Sequence, residues 1–243
     1  MAEAPRPAFY AAERGGWRDW WTVLHPPYTA WHLSYVVIGA SLAPGVQISR
    51  LVATVLAFFL AVGVAAHCLD ELHGRPLRTL IPGGALIAAT VVSLAGAVAM
   101  GVVGVVTVGA VLVPFIVVGP VLVMAYNAEL FGGIVHTDAG FAAAWGAFPV
   151  LTAYVAQAGT LRWGPVLVAV GAFALSWAQR ALSTPARMLR RSVRGIDGTL
   201  TLADGTVRHL DDEFLLAPLE RALRAMSWGL VTVAAGMAVA RLT

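Results

Sequence analysis

The sequence predicts an all-α integral membrane protein: a helical bundle of about seven transmembrane helices with a small cytoplasmic insertion built of a hairpin plus a helix. Three observations predict it. Of the 243 residues, 59% are hydrophobic and only 12% charged, against about 25% charged in soluble domains, and the mean hydropathy is +0.78. Apolar runs close to the roughly 20 residues needed to cross a bilayer recur along the chain. All sixteen basic residues are arginines, and they gather in alternate segments between those runs.

The first 27 residues form a cytoplasmic or interfacial segment. They are polar, carry Pro5, Pro7, Pro26 and Pro27, and lack the compact apolar core of a signal peptide, so the chain is expected to insert through its own first spans. Trp17, Trp20, Trp21, Tyr28 and Trp31 suit the headgroup layer. The stretch to Leu24 then lies on the cytoplasmic surface until His25-Pro26-Pro27 turns the chain inward. Spans are expected at 28–45, 49–69, 79–98, 101–124, 140–158, 163–183 and 225–241, the first and fifth being short and carrying polar or aromatic residues. The third and fourth should meet in a tight turn within "AMGVVG". Pro114 and Pro120 should kink the fourth span, and Pro149 the fifth.

Residues 28–184 therefore hold six helices, 185–224 form a cytoplasmic segment, and 225–243 hold the last span. In "GIDGTLTLADGTVRHLDD" alternating residues flank Asp204-Gly205, a β-hairpin signature. "EFLLAPLERALRAM" reads as an amphipathic helix interrupted or started at Pro218. With the N-terminus in the cytoplasm, thirteen of the sixteen arginines fall on the cytoplasmic side, leaving Arg50, Arg162 and Arg241 opposite. The positive-inside rule thus predicts a multi-pass protein of the cell membrane with its C-terminus outside. The isoelectric point near 9.5 follows from that rule and from contact with anionic headgroups, and no nucleic-acid partner is expected. The single cysteine, Cys68, excludes an internal disulfide and a Cys-rich metal site.

"GVAAHCLDELHGRPLRTLIP" concentrates polar groups at the cytoplasmic exit of the second span. On a helix, His67, Asp70 and Glu71 stand at i, i+3 and i+4 and share a face; Gly74 and Pro76 end the helix, leaving Arg75 and Arg78 beyond it. Two readings stay open: a functional face, or acids pairing with Arg75 and Arg78 at a solvated helix end. On the same side, "MAYNAELFGGIVHTDAG" supplies Tyr126, Asn127, Glu129, His136 and Asp138. "WAQRALSTPARMLRRSVR" supplies Gln179, Arg180, Ser183, Arg187, Arg190 and Arg191, with Pro185 expected to break the helix. Such arginines either hold phosphate oxygens in bidentate fashion or serve topology alone. Three cytoplasmic segments thus ring one cavity mouth, a composition suited to an anionic head over an apolar tail.

In these features the chain resembles the UbiA superfamily of intramembrane prenyltransferases. Members carry an aspartate-rich NDxxDxxxD motif at the end of the second helix, an Arg-Pro-Leu type segment after it, and a second acidic motif after the sixth helix. Here Ala66-His67-Cys68-Leu69-Asp70 stands where NDxxD would, Arg75-Pro76-Leu77 follows, and "YNAELFGGIVHTDAGFAAAWGAFPVLTAYV" looks like the connection from the fourth helix to the fifth. The likeness runs over residues 26–191 in the order and spacing of elements. The departures are equally specific: His67 replaces the partner aspartate, Glu71 is adjacent to Asp70 instead of four residues on, and "QRALSTPARMLRR" replaces the second acidic motif. About seven spans stand where the family usually has nine.

The resemblance implies a UbiA-like bundle that transfers or cyclises an isoprenyl group from an isoprenoid diphosphate, within the lipid bilayer, at a cytoplasmic-facing polar cavity mouth. By the same resemblance, Asp70, Glu71 and Tyr126 are candidate catalytic residues, and Arg75, Arg78, Asn127, Gln179, Arg180, Arg187 and Arg190 bind substrate. His67, Asp70 and Glu71 would hold magnesium (Mg2+), and Tyr35, Tyr126, Trp145, Phe148 and Tyr154 could face a carbocation. Two other readings remain open. One is a non-catalytic lipid-binding or partner-binding membrane protein that docks a protein through residues 195–224. The other is an unrelated metal-dependent membrane enzyme using His32, His67, Asp70, His73, Glu129 and His136, donors that suit zinc, manganese or iron. Transport fits less well, since no inverted repeat or pair of discontinuous helices is visible.

Overall fold

A chain in lipid must satisfy its backbone N–H and C=O groups internally, which α-helices do. The computed structural model describes residues 6–243, and among them lie eight helices. Two are short, α1 (Trp17–Val23) and α2 (Pro26–Ser41). Six are long and apolar enough to cross a membrane: α3 (Ile48–Leu72), α4 (Gly83–Val108), α5 (Ala110–Asn127), α6 (Asp138–Ala158), α7 (Trp163–Ser192) and α8 (Asp212–Leu242). The protein is thus a helical, multi-pass membrane protein.

The first expected span behaves unlike the others. α2 has only 16 residues, about 24 Å of helix, and it is wrapped by protein, chiefly α6 and α8. Its ends nevertheless reach both ends of the bundle. His25, just before it, stacks on His67 near the end of α3, whereas Ser41, at its close, accepts a hydrogen bond from Arg241 near the end of α8. Burial explains its polar content, because a protein-enclosed helix finds partners that lipid does not offer. Trp31 Nε1 donates to Tyr35 Oη, Ser176 Oγ donates to the same oxygen, and His32 Nδ1 pairs with the Trp145 carbonyl. Gly39 lets α2 lie directly on the α6 backbone, since a Cβ there would overlap the Val150 carbonyl. Gly146 plays the same part between α6 and α7, where a Cβ would stand 2.6 Å from the Ala172 oxygen. Small residues of this kind allow close approach of membrane helices.

Three boundaries differ from those expected. The turn between the third and fourth spans falls at Gly109, with φ 128°, and not in "AMGVVG". Gly101 and Gly104 lie inside α4, where they make room for the Ile116 and Leu112 side chains of α5. Pro185 does not break α7, nor Pro218 α8; both sit inside continuous helices. A proline forfeits one backbone hydrogen bond, and in a packed membrane bundle neighbouring helices compensate for it. The sequence 212–242 is consequently one helix and not a cytoplasmic helix followed by a span.

Beyond α7, β1 (Thr199–Thr201) and β2 (Val207–His209) pair antiparallel with Thr199 opposite His209. Gly205 takes φ 82°, and Asp204 Oδ1 accepts from Thr206 N at 2.9 Å within the five-residue connection 202–206. Both strands are exposed.

α3 and α6 each contain a wide-turn π segment, Phe59–Ala66 and Ala143–Ala147. Such segments rotate the residues that follow them and often lie at functional sites. Here one leads into His67 and Asp70, and the other carries Trp145.

Replacing Gly39 with alanine should push α2 away from α6. The expected result is a loss of about 1–3 kcal/mol, read as a lower melting temperature in detergent, whereas Gly229→Ala, in open space on α8, should leave it unchanged.

Candidate functional site

The polar exit of α3 divides between two tasks. Glu71 is fully buried, and its oxygens accept from Leu77 N at 2.9 Å, Thr79 N at 2.9 Å and Thr79 Oγ1 at 2.8 Å. Asp19 of α1, itself buried, accepts from Leu80 N at 2.9 Å. Two carboxylates therefore pin the loop between α3 and α4. Within it Arg75 and Arg78 adopt left-handed backbone, φ 53° and 56°, and Arg75 Nη1 donates to the Ile81 carbonyl at 2.6 Å. Glu71, Arg75 and Arg78, expected at the site, do not line it. The shared helix face did not decide the matter, because the returning loop offers its amides to Glu71 alone.

Asp70 instead faces a polar cavity of about 310 Å³. Its walls come from six helices, α6 supplying Phe141 and Trp145. α2 with its leading residue contributes His25, Tyr28 and His32, α3 His67 and Asp70, and α5 Tyr126 and Asn127. α7 contributes Gln179, Arg180, Arg187, Arg190 and Arg191, and α8 Glu220. His73, Glu129 and His136 border it as well. Of the expected site residues the structure thus brings together His67, Asp70, Tyr126, Asn127, Gln179, Arg180, Arg187 and Arg190. Continuity of α7 through Pro185 is what allows its arginines to share one wall.

Residues 7–10 also border the cavity, a contribution the sequence reading missed. Arg191 Nε donates to the Pro7 carbonyl at 3.2 Å, Tyr10 Oη meets His25 Nδ1 at 3.0 Å, and the Arg224 guanidinium lies over the Phe9 ring at 4.7 Å. Polar composition gave no sign that this segment folds back over the bundle. His25-Pro26-Pro27 was the available hint, because a left-handed His25, φ 47°, reverses the chain there.

The arginines are unequally committed. Arg180 pairs with Asp138 at 2.9 Å. Arg190 grips Glu220 through two nitrogens, Nη2 to Oε2 at 2.8 Å and Nε to Oε1. Arg187 makes only a 3.3 Å contact to Thr184 Oγ1 and has no carboxylate partner among the described residues. Arg191, bonded only to the Pro7 carbonyl, likewise has no carboxylate partner among the described residues, so these two are the cations on this wall left available to an anion.

Three histidines have their rings fixed by backbone carbonyls: His32 by Trp145, His67 by Gly63 and His136 by Tyr126. Because a carbonyl only accepts, the proton sits on each Nδ1. His25 stacks on His67 with centroids 4.3 Å apart. Burial, reinforced by His67, Arg191, Arg187 and His32, holds His25 well below its ordinary pKa of 6.5, and burial likewise drives Tyr10 upward, with Tyr28 adding to it. Asn127 is occupied, donating to the Val123 carbonyl at 2.7 Å.

The buried side-chain polar atoms left without a partner among the described residues are His25 Nε2, Tyr126 Oη and Gln179 Oε1, and all three residues line this cavity. Such atoms are uncommon in folded proteins and costly unless a ligand or water meets them.

The donors do not fit the expected magnesium set. Glu71 is consumed by its loop, and among the described residues no three histidine, cysteine or carboxylate groups converge on a metal position. The wider set of the metal-enzyme reading, His32, His67, Asp70, His73, Glu129 and His136, borders the cavity without converging either.

A second, apolar cavity of about 500 Å³ lies among α3, α4, α5 and α6 and extends toward Arg50 at the opposite end of the bundle. Val62 and Trp145 line both cavities. Of the aromatic residues suggested for a carbocation, Tyr126 and Trp145 border the polar cavity and Trp145 and Phe148 the apolar one. Tyr35 and Tyr154 are packed in the core.

No protein-family model matches the chain, and comparison with curated proteins and with solved structures finds no match. The likeness to intramembrane prenyltransferases therefore rests on the quoted residues.

Two outcomes follow from this geometry. Glu71→Ala strands buried amides and should cost about 3 kcal/mol or more, seen as a lowered melting temperature and new proteolysis at Arg75 and Arg78. His25 stays neutral in the fold but protonates near 6.5 when unfolded, so its contribution is complete above about pH 6.5 and is lost as pH falls. Thermal stability should decline between pH 7.5 and 5.5, and His25→Gln should make that decline shallower.

Proposed function

We propose that the protein binds a phosphate-headed lipid within the membrane, with the head in the polar cavity and the chain in the apolar one. In keeping with the resemblance, the proposed substrate is an isoprenoid diphosphate, and the proposed activity is prenyl transfer or cyclisation. The observation that carries the reading is that the polar and the apolar cavity are neighbours, with Val62 and Trp145 lining both. It supports a ligand that is anionic at one end and apolar at the other, spanning that boundary.

On this reading arginines do what metal ions do elsewhere. Breaking the carbon–oxygen bond of an allylic diphosphate leaves both electrons on the departing diphosphate, so the step depends on neutralising that charge. Arg187 is free to do so, with Arg180 and Arg191 nearby on α7. The cation left on the isoprenyl carbon would lie at the boundary where Trp145 and Tyr126 present their rings, and an aromatic face stabilises a cation. The proposed orientation puts this cavity and the N-terminus in the cytoplasm, with the C-terminus outside. The missing metal set gives the non-catalytic reading its support: a protein that holds such a lipid without cleaving it needs Arg187 and the apolar cavity equally.

Titration of the purified protein with farnesyl diphosphate in EDTA tests the binding. Affinity should persist without magnesium, and Arg187→Ala should weaken it about 10–100-fold. Val62→Trp should weaken farnesyl diphosphate but not inorganic diphosphate. Binding that requires magnesium, or that ignores Arg187→Ala, would refute arginine-based recognition; release of diphosphate over time separates the enzyme from the lipid-binding protein.

A further inference from the structure

Two acceptors on the polar cavity, an ionised Asp70 carboxylate and the Oε1 of Gln179, gain nothing from a ligand made only of phosphate oxygens, whatever the Gln179 amide nitrogen donates. An ionised carboxylate accepts hydrogen bonds and donates none, and so does a phosphate. The Asp70 side chain lines the cavity without a hydrogen bond or ion pair among the described residues. Gln179, only 3% exposed, leaves Oε1 unpartnered on the same cavity. The two acceptors come from different helices, α3 and α7, so no single local distortion accounts for both. A phosphate alone would leave Gln179 Oε1 stranded and would be repelled by Asp70.

We propose that the cavity holds, beside the phosphate, a hydroxyl-bearing group whose O–H bonds are accepted by Asp70 and by Gln179 Oε1. This rests on the head-and-chain reading above and specifies its polar end. A hydroxyl fits better than an ammonium group, because four arginines already border the cavity and a further cation would face their repulsion. Tyr126, 4% exposed with Oη unpartnered, both donates and accepts and so can join the hydroxyl to the phosphate. The hydroxyl belongs either to the head of the same lipid or to a second molecule; the recognising chemistry is shared.

The test titrates purified protein in EDTA with dodecyl methyl phosphate and with dodecyl phosphoinositol, which have the same chain and charge and differ in their hydroxyls. Dodecyl methyl phosphate is also titrated in the presence of free myo-inositol. The wild-type protein should bind the phosphoinositol about tenfold more tightly, or should bind the methyl ester more tightly once myo-inositol is added. The first result places the hydroxyl on the lipid and the second on a separate molecule.

Asp70→Asn and Gln179→Leu should each remove most of that gain. Asp70→Asn should at the same time tighten the methyl ester, because a repelling charge is gone. Equal affinity for both lipids with no effect of myo-inositol overturns the proposal, as does an Asp70→Asn variant that tightens both lipids alike. Failure of both lipids to bind overturns the head-and-chain reading and this proposal with it. Should Asp70→Asn fail to fold by thermal melting, Gln179→Leu alone decides.

Discussion

Everything polar in this bundle depends on placing α2 where lipid cannot reach it. A helix carrying Tyr28, His32, Ser34 and Tyr35 is poorly suited to a hydrocarbon-facing position, and at 16 residues it is short for one. Enclosed by α6 and α8, it gains partners for its side chains and brings its first turn beneath the ends of α3 and α7. Gly39 and Gly146 make the enclosure tight enough for the Trp145 carbonyl to fix His32. The polar cavity is then the space left where α2, α3, α5 and α7 diverge toward one end.

That arrangement separates residues that composition alone would group. Asp70 and Glu71 are neighbours in sequence, yet one faces the cavity and the other vanishes into a loop. The difference arises from the 73–82 connection, whose left-handed residues at Arg75 and Arg78 turn the Leu77 and Thr79 amides onto Glu71. A rigid loop held by Glu71 and Asp19 in turn fixes the exit of α3, so Asp70 is presented from a firm support. The acid that seems lost to the site is part of its foundation.

The spans, the hairpin and the clustering of polar groups at one end were legible because each depends on local composition or period. Gly109 was harder to choose than "AMGVVG", since glycine marks both turns and close helix contacts, and only the packing of Ile116 against Gly101 tells them apart. Pro185 misled for a related reason: its cost is local, whereas its tolerance is set by neighbouring helices. Glu71, Arg75 and Arg78 were misplaced because helical periodicity assigns faces but cannot see a returning loop. Tyr10 went unseen because, beyond the turn at His25-Pro26-Pro27, nothing in residues 6–24 encodes where that segment lands.

The metal question shows how the same facts constrain chemistry. A second acidic motif would place carboxylates on α7, and here that wall carries Arg180, Arg187, Arg190 and Arg191 instead. A cavity facing a divalent cation needs converging oxygen donors, and this one presents converging cations. On the proposed reading, charge complementarity then works directly between protein and anion. Asp70 persists in that setting with no arginine close enough to pair among the described residues. Its presence is hard to reconcile with a site for phosphate oxygens alone, and a neutral hydrogen-bond donor beside the anion resolves the conflict without adding charge.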